Sequence, residues 1–332
     1  MNTIGINVIG AGKYLPTKII TNDDLSQLVD TNDEWITTRT GIKTRHVIDN
    51  ETTHFMGAQA SLEAMKHANI IPEDIDIIFA TTVTNDYLTP SLACLIANDI
   101  GAPNAVSIDI NCACAGFVYG VDMARRYLMD SQYKTALVVS SEMLTKLTDY
   151  SDRATCILFG DGAGACILQK SDSLYACHLG ADATGSSKLF ARGAPADNPF
   201  RSKAFHPFDD GLPESKGHAL YQDGKEVYKF ATKTLPLTVK KACENAHISP
   251  EELDMIFPHQ ANLRIIETAA KNLNLPIDKF FINIQEHGNM SSACIPICLA
   301  EAIEQNKLKK GDKICLVGFG AGLTYGAIVM EW

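Results

Sequence analysis

The chain has 332 residues, of which 46% are hydrophobic, and its formal net charge at pH 7 is −10. This length and composition are enough to bury one large hydrophobic core or two ordinary ones. The acidic balance argues against general nucleic-acid binding, and an acidic partner would need a local basic patch. The ten cysteines show neither a CxxC pair nor the cysteine–histidine spacing of a zinc site. We therefore expect reduced thiols and no metal.

The N-terminal segment, MNTIGINVIGAGKYLP, is typical of the first strand of a sheet. It lacks the basic flank and the long apolar run of a signal peptide. No segment of the chain approaches the ~20 apolar residues that a membrane-spanning helix needs. The sequence therefore predicts a cytoplasmic protein without membrane insertion.

Two segments, residues 64–79 and 242–257, resemble each other. AMKHANIIPEDIDIIF and ACENAHISPEELDMIF are identical at eight of sixteen positions. Each is typical of a helix, a proline-marked turn and a strand that ends in Phe79 or Phe257. The distance between them along the chain is too long for a solenoid repeat and favours two copies of one α/β domain, with chance similarity as the alternative. We place the two halves at residues 1–170 and 171–332.

Cys114 lies where a predicted strand is followed by a helix. Residues 107–110 alternate as in a short buried strand, and apolar residues from 117 to 129 follow a helical spacing. A cysteine at a helix N-terminus lies near unpaired N–H groups that favour an anion. Its thiol is therefore expected to ionise more easily and to act as a nucleophile. The alternative is a buried, inert cysteine.

Glycine-rich segments and one irregular segment complete the pattern. FGDGAGACIL (159–168) and VGFGAGLTYGAIVM (317–330) each place a glycine-rich turn beside an apolar strand near the end of a half. FGDGAGA does not match the GxGxxG dinucleotide motif, so no NAD site is expected. Residues 180–217 are rich in Gly, Pro, Ser and Asp, which predicts an irregular segment that forms part of a site wall.

Two polar residues of the second half follow predicted strands. His259 comes after the strand that ends at Phe257, and open α/β sheets bind their ligands at such strand ends. Asn289 follows a strand predicted at 280–284 and precedes a helical run, and its amide can donate a hydrogen bond. The alternatives are a surface histidine near a helix cap and an asparagine that only stabilises a turn.

Together these motifs resemble the 3-oxoacyl-[acyl-carrier-protein] synthase III family, the initiating condensing enzymes of fatty-acid synthesis. The resemblance runs along essentially the whole chain. It implies an acyltransferase with the thiolase fold, in which two duplicated α/β halves form a layered αβαβα architecture, and it implies a homodimer. The segments that carry it are TNDEWITTRTGIKTRH (31–46), CAGF at Cys114, SDRATCILFGDGAGA (151–165), DGKEVYKFA (223–231), PHQANLRI (258–265), HGN (287–289) and GFGAGLTYG (318–326).

The resemblance also implies a mechanism, a decarboxylative Claisen condensation that needs no cofactor. Cys114 takes the acyl group from an acyl-CoA. His259 and Asn289 then hydrogen-bond the thioester carbonyl of malonyl-acyl-carrier protein as CO2 leaves. The oxyanion hole consists of the backbone N–H groups of Cys114 and Ala321. The Cys–His–Asn set indicates this branch of the superfamily, because the elongating synthases have histidine in place of the asparagine.

Residues that match the family's substrate contacts lie in several segments. Without the match, Trp35 is interpreted as an anchor in the core, and any single lysine as an ordinary solvated residue. Lys229 does share a helix face with Lys225 and Lys233, at i, i+4 and i+8 spacing. By the family match, Trp35, Arg39 and Arg153 bind CoA, and Lys229, Arg264 and Lys271 dock the acyl-carrier protein.

Thr89 departs from the family pattern. The family often has a phenylalanine at this position, before a proline, and that side chain closes the partner subunit's acyl pocket. Each additional buried CH2 of a substrate is worth ~0.8 kcal/mol, so we hypothesise a primer longer or bulkier than acetyl, unless Tyr87 or Leu88 refills the space. Three interpretations stay open: a fatty-acid initiating synthase, a paralogue of specialised metabolism, and a non-catalytic partner in a heterodimer.

Overall fold

A computed structural model describes residues 5–193, 211–213, 215 and 217–332 of the chain. Strands and helices alternate through most of this part. The helices are α1 (Asn22–Ser26), α2 (Asp33–Thr40), α3 (Thr53–Ala68), α4 (Leu92–Ile100), α5 (Gly116–Leu128), α6 (Gly224–Ala246), α7 (Leu263–Leu273), α8 (Ile284–His287) and α9 (Cys294–Glu304). The strands are β1 (Gly5–Tyr14), β2 (Lys18–Thr21), β3 (Thr44–Val47), β4 (Ile77–Thr81), β5 (Val106–Ile110), β6 (Thr135–Met143), β7 (Asp161–Ser171), β8 (Tyr175–Ala181), β9 (Leu189–Phe190), β10 (Tyr221–Gln222), β11 (Met255–Pro258), β12 (Lys313–Gly320) and β13 (Thr324–Glu331).

Two mixed sheets organise the molecule. The first has the strand order β1-β7-β6-β4-β5, and the second has the order β8-β13-β12-β11. In the first sheet β4 is parallel to β5 and β6, whereas β7 is antiparallel to β1 and β6. In the second, β11 and β12 are parallel and β13 is antiparallel to its neighbours. Both sheets therefore have parallel strands at one edge and antiparallel strands at the other.

The helices form three layers around these sheets. Helices α5 and α9 share one apolar core with strands of both sheets, and Phe117 of α5 and Phe257 of β11 are fully buried there. Helices α3 and α4 cover the outer face of the first sheet, and α6 and α7 cover that of the second. The result is the predicted αβαβα arrangement of the thiolase fold.

The separation in sequence between the two repeated segments also relates equivalent strand pairs of the two sheets. Ile77 of β4 aligns with Met255 of β11 in the repeat, and the same offset relates Ala136 of β6 to Ile314 of β12. Ile77 lies opposite Ala136, and Met255 lies opposite Ile314. The 3-10 turns that precede β4 and β11 both begin at a proline. The predicted duplication is therefore present in the fold. The division between residues 170 and 171 falls at the end of β7 and stays a prediction.

One strand prediction is wrong. Residues 280–284 form only an isolated bridge, between Phe280 and Ile256, and Ile284 already begins α8. Asn283 leaves the strand conformation because its side chain donates to the buried Glu301 carboxylate at 2.9 Å. A hydrogen bond to a buried charged group here outweighs the continuation of an edge strand.

The segment predicted to be irregular has a regular beginning. Residues Ala183–Lys188 form a 3-10 helix that is followed by β9. Residues 194–210, 214 and 216 of this segment lie outside the described residues. Among the helices of the described part, none has the length and apolar content to cross a membrane.

Candidate active site

Cys114 lies in a 3-10 turn, Ala113–Ala115, between β5 and α5. Gly116 begins α5 immediately after this turn. The turn packs against the end of β12, where a Cβ atom on Gly320 would lie 2.5 Å from the backbone nitrogen of Cys114. Because any larger residue would collide with that backbone, glycine at position 320 permits β12 to approach the cysteine.

A cavity of about 580 Å³ opens beside this turn. Four of the residues that the sequence singled out lie on its wall: Cys114, His259, Asn289 and Ala321. The predicted contribution of the 180–217 segment to a site wall is confirmed by Ser186, Leu189, Phe190 and Ala191. The two halves of the chain therefore both supply walls of the same cavity.

The ionisation predicted for Cys114 is wrong in its direction. Burial raises the pKa of the thiol to about 12, and the charge of the Glu142 carboxyl adds to this effect. The Ser291 hydroxyl and the backbone N–H of Cys114 lower the pKa, but by less. Removal from water thus outweighs a helix N-terminus, which contributes at most ~2 kcal/mol. Near neutral pH the thiol of the free protein is protonated.

His259 is not a surface residue, since only 1% of it is exposed. Its backbone N–H donates to the carbonyl of Val317 in β12 at 2.8 Å, which continues the pairing of β11 with β12. Its ring packs edge-on against Phe319, with the ring centroids 5.3 Å apart. Burial lowers the pKa of His259 to about 3, although the Ser291 carbonyl opposes this shift. The imidazole is therefore neutral at pH 7.

Asn289 is held by backbone and side-chain hydrogen bonds. Its N–H donates to the Leu158 carbonyl at 2.9 Å, and its carbonyl accepts from the Gly160 N–H at 3.0 Å. Its side-chain oxygen accepts the Ser291 N–H at 2.8 Å. Asn289 can therefore stabilise the turn and also donate a hydrogen bond, because the turn uses its side-chain oxygen and leaves its Nδ2 available as a donor.

The three residues matched to CoA binding form one stack. The guanidinium carbons of Arg39 and Arg153 lie 4.7 and 5.0 Å from the centroid of the Trp35 ring, within the range of cation–π interactions. Both arginines are exposed, whereas Trp35 is half-buried. Trp35 packs on the same apolar cluster as Leu158 and Leu220, which line the cavity. The stack is thus adjacent to the cavity, and Trp35 also anchors α2.

The basic residues matched to carrier docking lie on two neighbouring helices. Lys229 is in α6, and Arg264 and Lys271 are in α7. All three are exposed. Tyr228, next to Lys229, lines the cavity, and the Arg264 guanidinium lies 6.0 Å from its ring. The basic residues at 229 and 264 are therefore close to the cavity.

Thr89 is exposed and does not line the cavity of its own chain within the described residues. It precedes a cis peptide bond to Pro90. The preceding Tyr87 and Leu88 are 55% and 96% exposed. These three side chains are therefore exposed on the surface of the chain.

Sequence reasoning missed Glu142, which is fully buried near the end of β6. Its carboxyl accepts hydrogen bonds from Thr82 Oγ1, the Val83 N–H, Thr84 Oγ1 and Ser292 Oγ. The sequence marks Glu142 only as an acidic residue near the end of the strand segment VVSSEM. The pattern does not distinguish it from a solvent-facing residue, because β6 is buried on both faces.

Comparisons with known proteins agree with this geometry. The family models described as 3-oxoacyl-[acyl-carrier-protein (ACP)] synthase III and its C-terminal part match residues 108–183 and 243–332. The chain is 47% identical to the beta-ketoacyl-[acyl-carrier-protein] synthase III of Clostridium acetobutylicum over 330 residues, 98% of each protein.

Solved structures give the same result. The 3-oxoacyl-[acyl-carrier-protein] synthase III of Aquifex aeolicus is 39% identical, with a TM-score of 0.90 over 99% of this chain and 100% of that one. The priming beta-ketosynthase of the R1128 polyketide pathway is 33% identical, with a TM-score of 0.89 over 98% and 96%. The chain therefore belongs to the 3-oxoacyl-[acyl-carrier-protein] synthase III family of condensing enzymes.

Proposed function

We propose that this chain condenses an acyl-CoA primer with malonyl-acyl-carrier protein to give 3-oxoacyl-acyl-carrier protein, CoA and CO2. The observation that carries the proposal is the convergence of Cys114, His259 and Asn289 on one cavity wall in a member of this family. The reaction uses no cofactor. The intact three-residue set argues against the non-catalytic interpretation.

In the first half-reaction Cys114 attacks the acyl-CoA thioester. The C–S bond to CoA breaks, the acyl group forms a new thioester with Cys114, and the thiol proton ends on the CoA sulfur. The backbone N–H groups of Cys114 and Ala321 stabilise the tetrahedral oxyanion. Support for this pair comes from Gly320, whose lack of a side chain lets the end of β12 lie against the Cys114 backbone.

In the second half-reaction His259 and Asn289 donate hydrogen bonds to the thioester carbonyl of the malonyl group. They stabilise the enolate that forms as CO2 leaves, and this carbanion attacks the acyl-Cys114 carbonyl. The Cys114 thiolate departs and regains a proton. The neutral imidazole and the free Nδ2 of Asn289 suit both residues to donate. Losing one such donor typically costs ~100- to 1000-fold in rate.

The two negatively charged substrates, acyl-CoA and the acyl-carrier protein, approach the cavity over positively charged surfaces. Arg39 and Arg153 flank Trp35, which fits an adenine ring and phosphates. Lys229 and Arg264 fit an acidic carrier protein, with Lys271 further along α7. On a chain with a net charge of −10, this basic group would steer such a partner.

A homodimer in the cytoplasm is part of the proposal. Leu88 is 96% exposed, and Val106 is 40% exposed on β5, the open edge of the first sheet. A second copy of the chain would cover these side chains. The ten cysteines are free thiols, which fits a reducing compartment.

A second candidate function is the priming of a specialised metabolite with a longer or bulkier acyl group. The similarity to the R1128 priming ketosynthase and the small side chain of Thr89 favour it. The cavity wall includes Leu144, Leu147, Leu158, Leu189, Phe190 and Leu220, which suit an apolar chain.

The experiment that tests the proposal is intact-protein mass spectrometry after incubation with acyl-CoAs from acetyl to decanoyl, together with branched and aromatic ones. We expect one acyl group per chain, absent in Cys114→Ala. Cys112→Ala is the matched control, because Cys112 also lines the cavity and its loss should leave the label in place. Labelling by acetyl or short branched chains supports the fatty-acid initiator and contradicts the Thr89 argument. Labelling only by long groups supports the second candidate, and no label contradicts both.

A further inference from the structure

Thr324 links the two backbone segments that carry the proposed oxyanion hole. It is the first residue of β13, it pairs with Gly320 of β12, and it lines the cavity. Its hydroxyl oxygen lies 2.9 Å from the Cys112 carbonyl oxygen and 3.0 Å from the Ala321 carbonyl oxygen. One hydroxyl therefore reaches the segment that leads into Cys114 on one side and the turn that contains Ala321 on the other.

This hydroxyl is an additional donor to carbonyls that already have backbone donors. The Ala115 N–H donates to the Cys112 carbonyl at 3.1 Å, and the Thr324 N–H donates to the Ala321 carbonyl. Among the described residues, no hydrogen bond between backbone groups joins the turn that contains Cys114 to the turn that contains Ala321. The hydroxyl is therefore not needed to complete either turn, and its contribution is to hold the two turns together.

Contacts restrain both the side chain of Thr324 and the turn before it. A Cβ atom on Gly322 would lie 2.9 Å from the Thr324 methyl group, so the methyl occupies space that this glycine leaves free. The Leu323 N–H donates to the Asp182 carbonyl at 2.8 Å, and the Asp182 N–H donates to the Leu323 carbonyl at 2.7 Å. The turn is thus held by Asp182 at one residue and by the threonine hydroxyl at the next.

We propose that Thr324 is a positioning residue whose hydroxyl holds the backbone N–H groups of Cys114 and Ala321 at the spacing that an oxyanion needs. The inference rests on the proposed role of these two N–H groups. Such donors are effective when they are preorganised around the charge that develops on the substrate carbonyl. Because this charge appears only after the carbonyl is attacked, Thr324 should affect the rate of acyl transfer at saturation and not the affinity for the substrate.

The test compares acylation and alkylation of the same thiol. An acyl-CoA and p-nitrophenyl acetate both acylate Cys114 by attack of sulfur on a carbonyl carbon. The new thioester forms as CoA or p-nitrophenolate leaves, and the thiol proton goes to the CoA sulfur or to water. Iodoacetamide instead alkylates the sulfur by direct displacement of iodide, so this reaction forms no oxyanion. Peptide mass spectrometry measures each rate constant at Cys114, with Cys114→Ala as the blank and all reactions at one pH.

Thr324→Val should lower both acylation rate constants about tenfold, the effect of losing one hydrogen bond of the site. The half-saturating acyl-CoA concentration and the alkylation rate should stay near the parental values. Thr324→Ser keeps the hydroxyl and should restore acylation. Thr238→Val is the matched control, because its hydroxyl also donates to a backbone carbonyl, that of Thr234 at 2.7 Å, and Thr238 does not line the cavity in the described part of the chain.

Acylation of Thr324→Val at the parental rate would overturn the proposal. An equal loss of acylation and alkylation would also overturn it, since this result indicates a displaced cysteine, and so would a Thr324→Ser variant as slow as Thr324→Val. If p-nitrophenyl acetate acylates the parent and no acyl-CoA does, the proposed function is refuted. A slower ester reaction in Thr324→Val would then leave this inference standing. A parent whose Cys114 no reagent acylates would contradict both.

Discussion

The turn that carries Cys114 has a structural counterpart in the second half of the chain, in the turn that carries Ser292. Ala113 and Ser291 begin these turns with φ values of +46° and +50°, and each turn is followed by a helix of the central layer. The backbone is thus nearly the same in both. Cys114 lies on the wall of the cavity, whereas Ser292 is fully buried.

The residues around each turn explain this difference. Opposite Cys114 lies Gly320 at the end of β12, and opposite Ser292 lies Glu142 of β6, which corresponds to Gly320 by the offset of the repeat. His259, which follows β11, likewise corresponds to Thr81 of β4, whose hydroxyl donates to Ser292 at 3.1 Å. Gly320 and His259 leave a cavity beside Cys114. Glu142 and Thr81 fill the equivalent space beside Ser292 with hydrogen-bonded side chains. The duplicated geometry therefore gives one open site and one closed site that joins the halves.

The largest effect on acyl transfer is expected from Gly320→Ala. This substitution would place a side-chain atom against the turn of Cys114, at the position that Glu142 occupies beside Ser292. The φ of Gly320 is extended, so the penalty comes from contact alone: the new Cβ would lie 2.5 Å from the Cys114 nitrogen. A displacement of the cysteine by ~1 Å is expected to slow acyl transfer about 100-fold. Overpacking should also lower the free energy of unfolding by about 1–3 kcal/mol.

Labelling time courses and urea denaturation measure these two effects of Gly320→Ala. Gly193→Ala is the control, because its Cβ would meet no atom of the described residues within 4 Å. Acyl transfer at the parental rate in Gly320→Ala would mean that β12 does not constrain the cysteine.

The next effect concerns His259, whose counterpart Thr81 does not titrate. Burial lowers the pKa of His259 to about 3, so the unfolded chain takes up this proton first as the pH falls. The corresponding stability is fully present above about pH 6.5 and is lost as the pH falls from there towards 3.

Between pH 7 and 4.5 the parent should therefore lose about 2–3 kcal/mol more unfolding free energy than His259→Gln. Urea denaturation at a series of pH values measures this difference. Glu301, whose pKa is lowered to about 2 by His287 and Asn283, loses its contribution only below about pH 4.5, in both proteins alike. Parallel pH profiles for the two proteins would rule out a buried neutral His259.

The open site was more predictable from the sequence than the closed one. Cys114 and His259 could be placed because a strand end and a helix start are visible as changes of apolar period. The family motifs then pointed to Asn289 and Ala321, and the structure brings all four to one cavity.

The closed site depends on contacts between distant segments. Glu142 and Ser292 are 150 residues apart, and neither has a local pattern that predicts the other. The same limit explains the error over the Cys114 pKa. The helix start is local and visible in the sequence, whereas the depth of burial and the Glu142 charge depend on packing between segments that are separate in the sequence.

The smallest effect is expected from Ser292→Ala, which would weaken the closed site without touching the open one. The substitution leaves one oxygen of the Glu142 carboxyl without the donor it now has at 3.0 Å. An unsatisfied buried acceptor costs about 1–3 kcal/mol, so urea denaturation should show a loss of this size. Acyl transfer to Cys114 should stay near the parental rate, because Ser292 does not line the cavity in the described part of the chain. If Ser292→Ala slowed acyl transfer and left the free energy of unfolding unchanged, this prediction would be contradicted. The turn that carries Ser292 would then contribute to the reaction of Cys114 and not to the packing of the two halves.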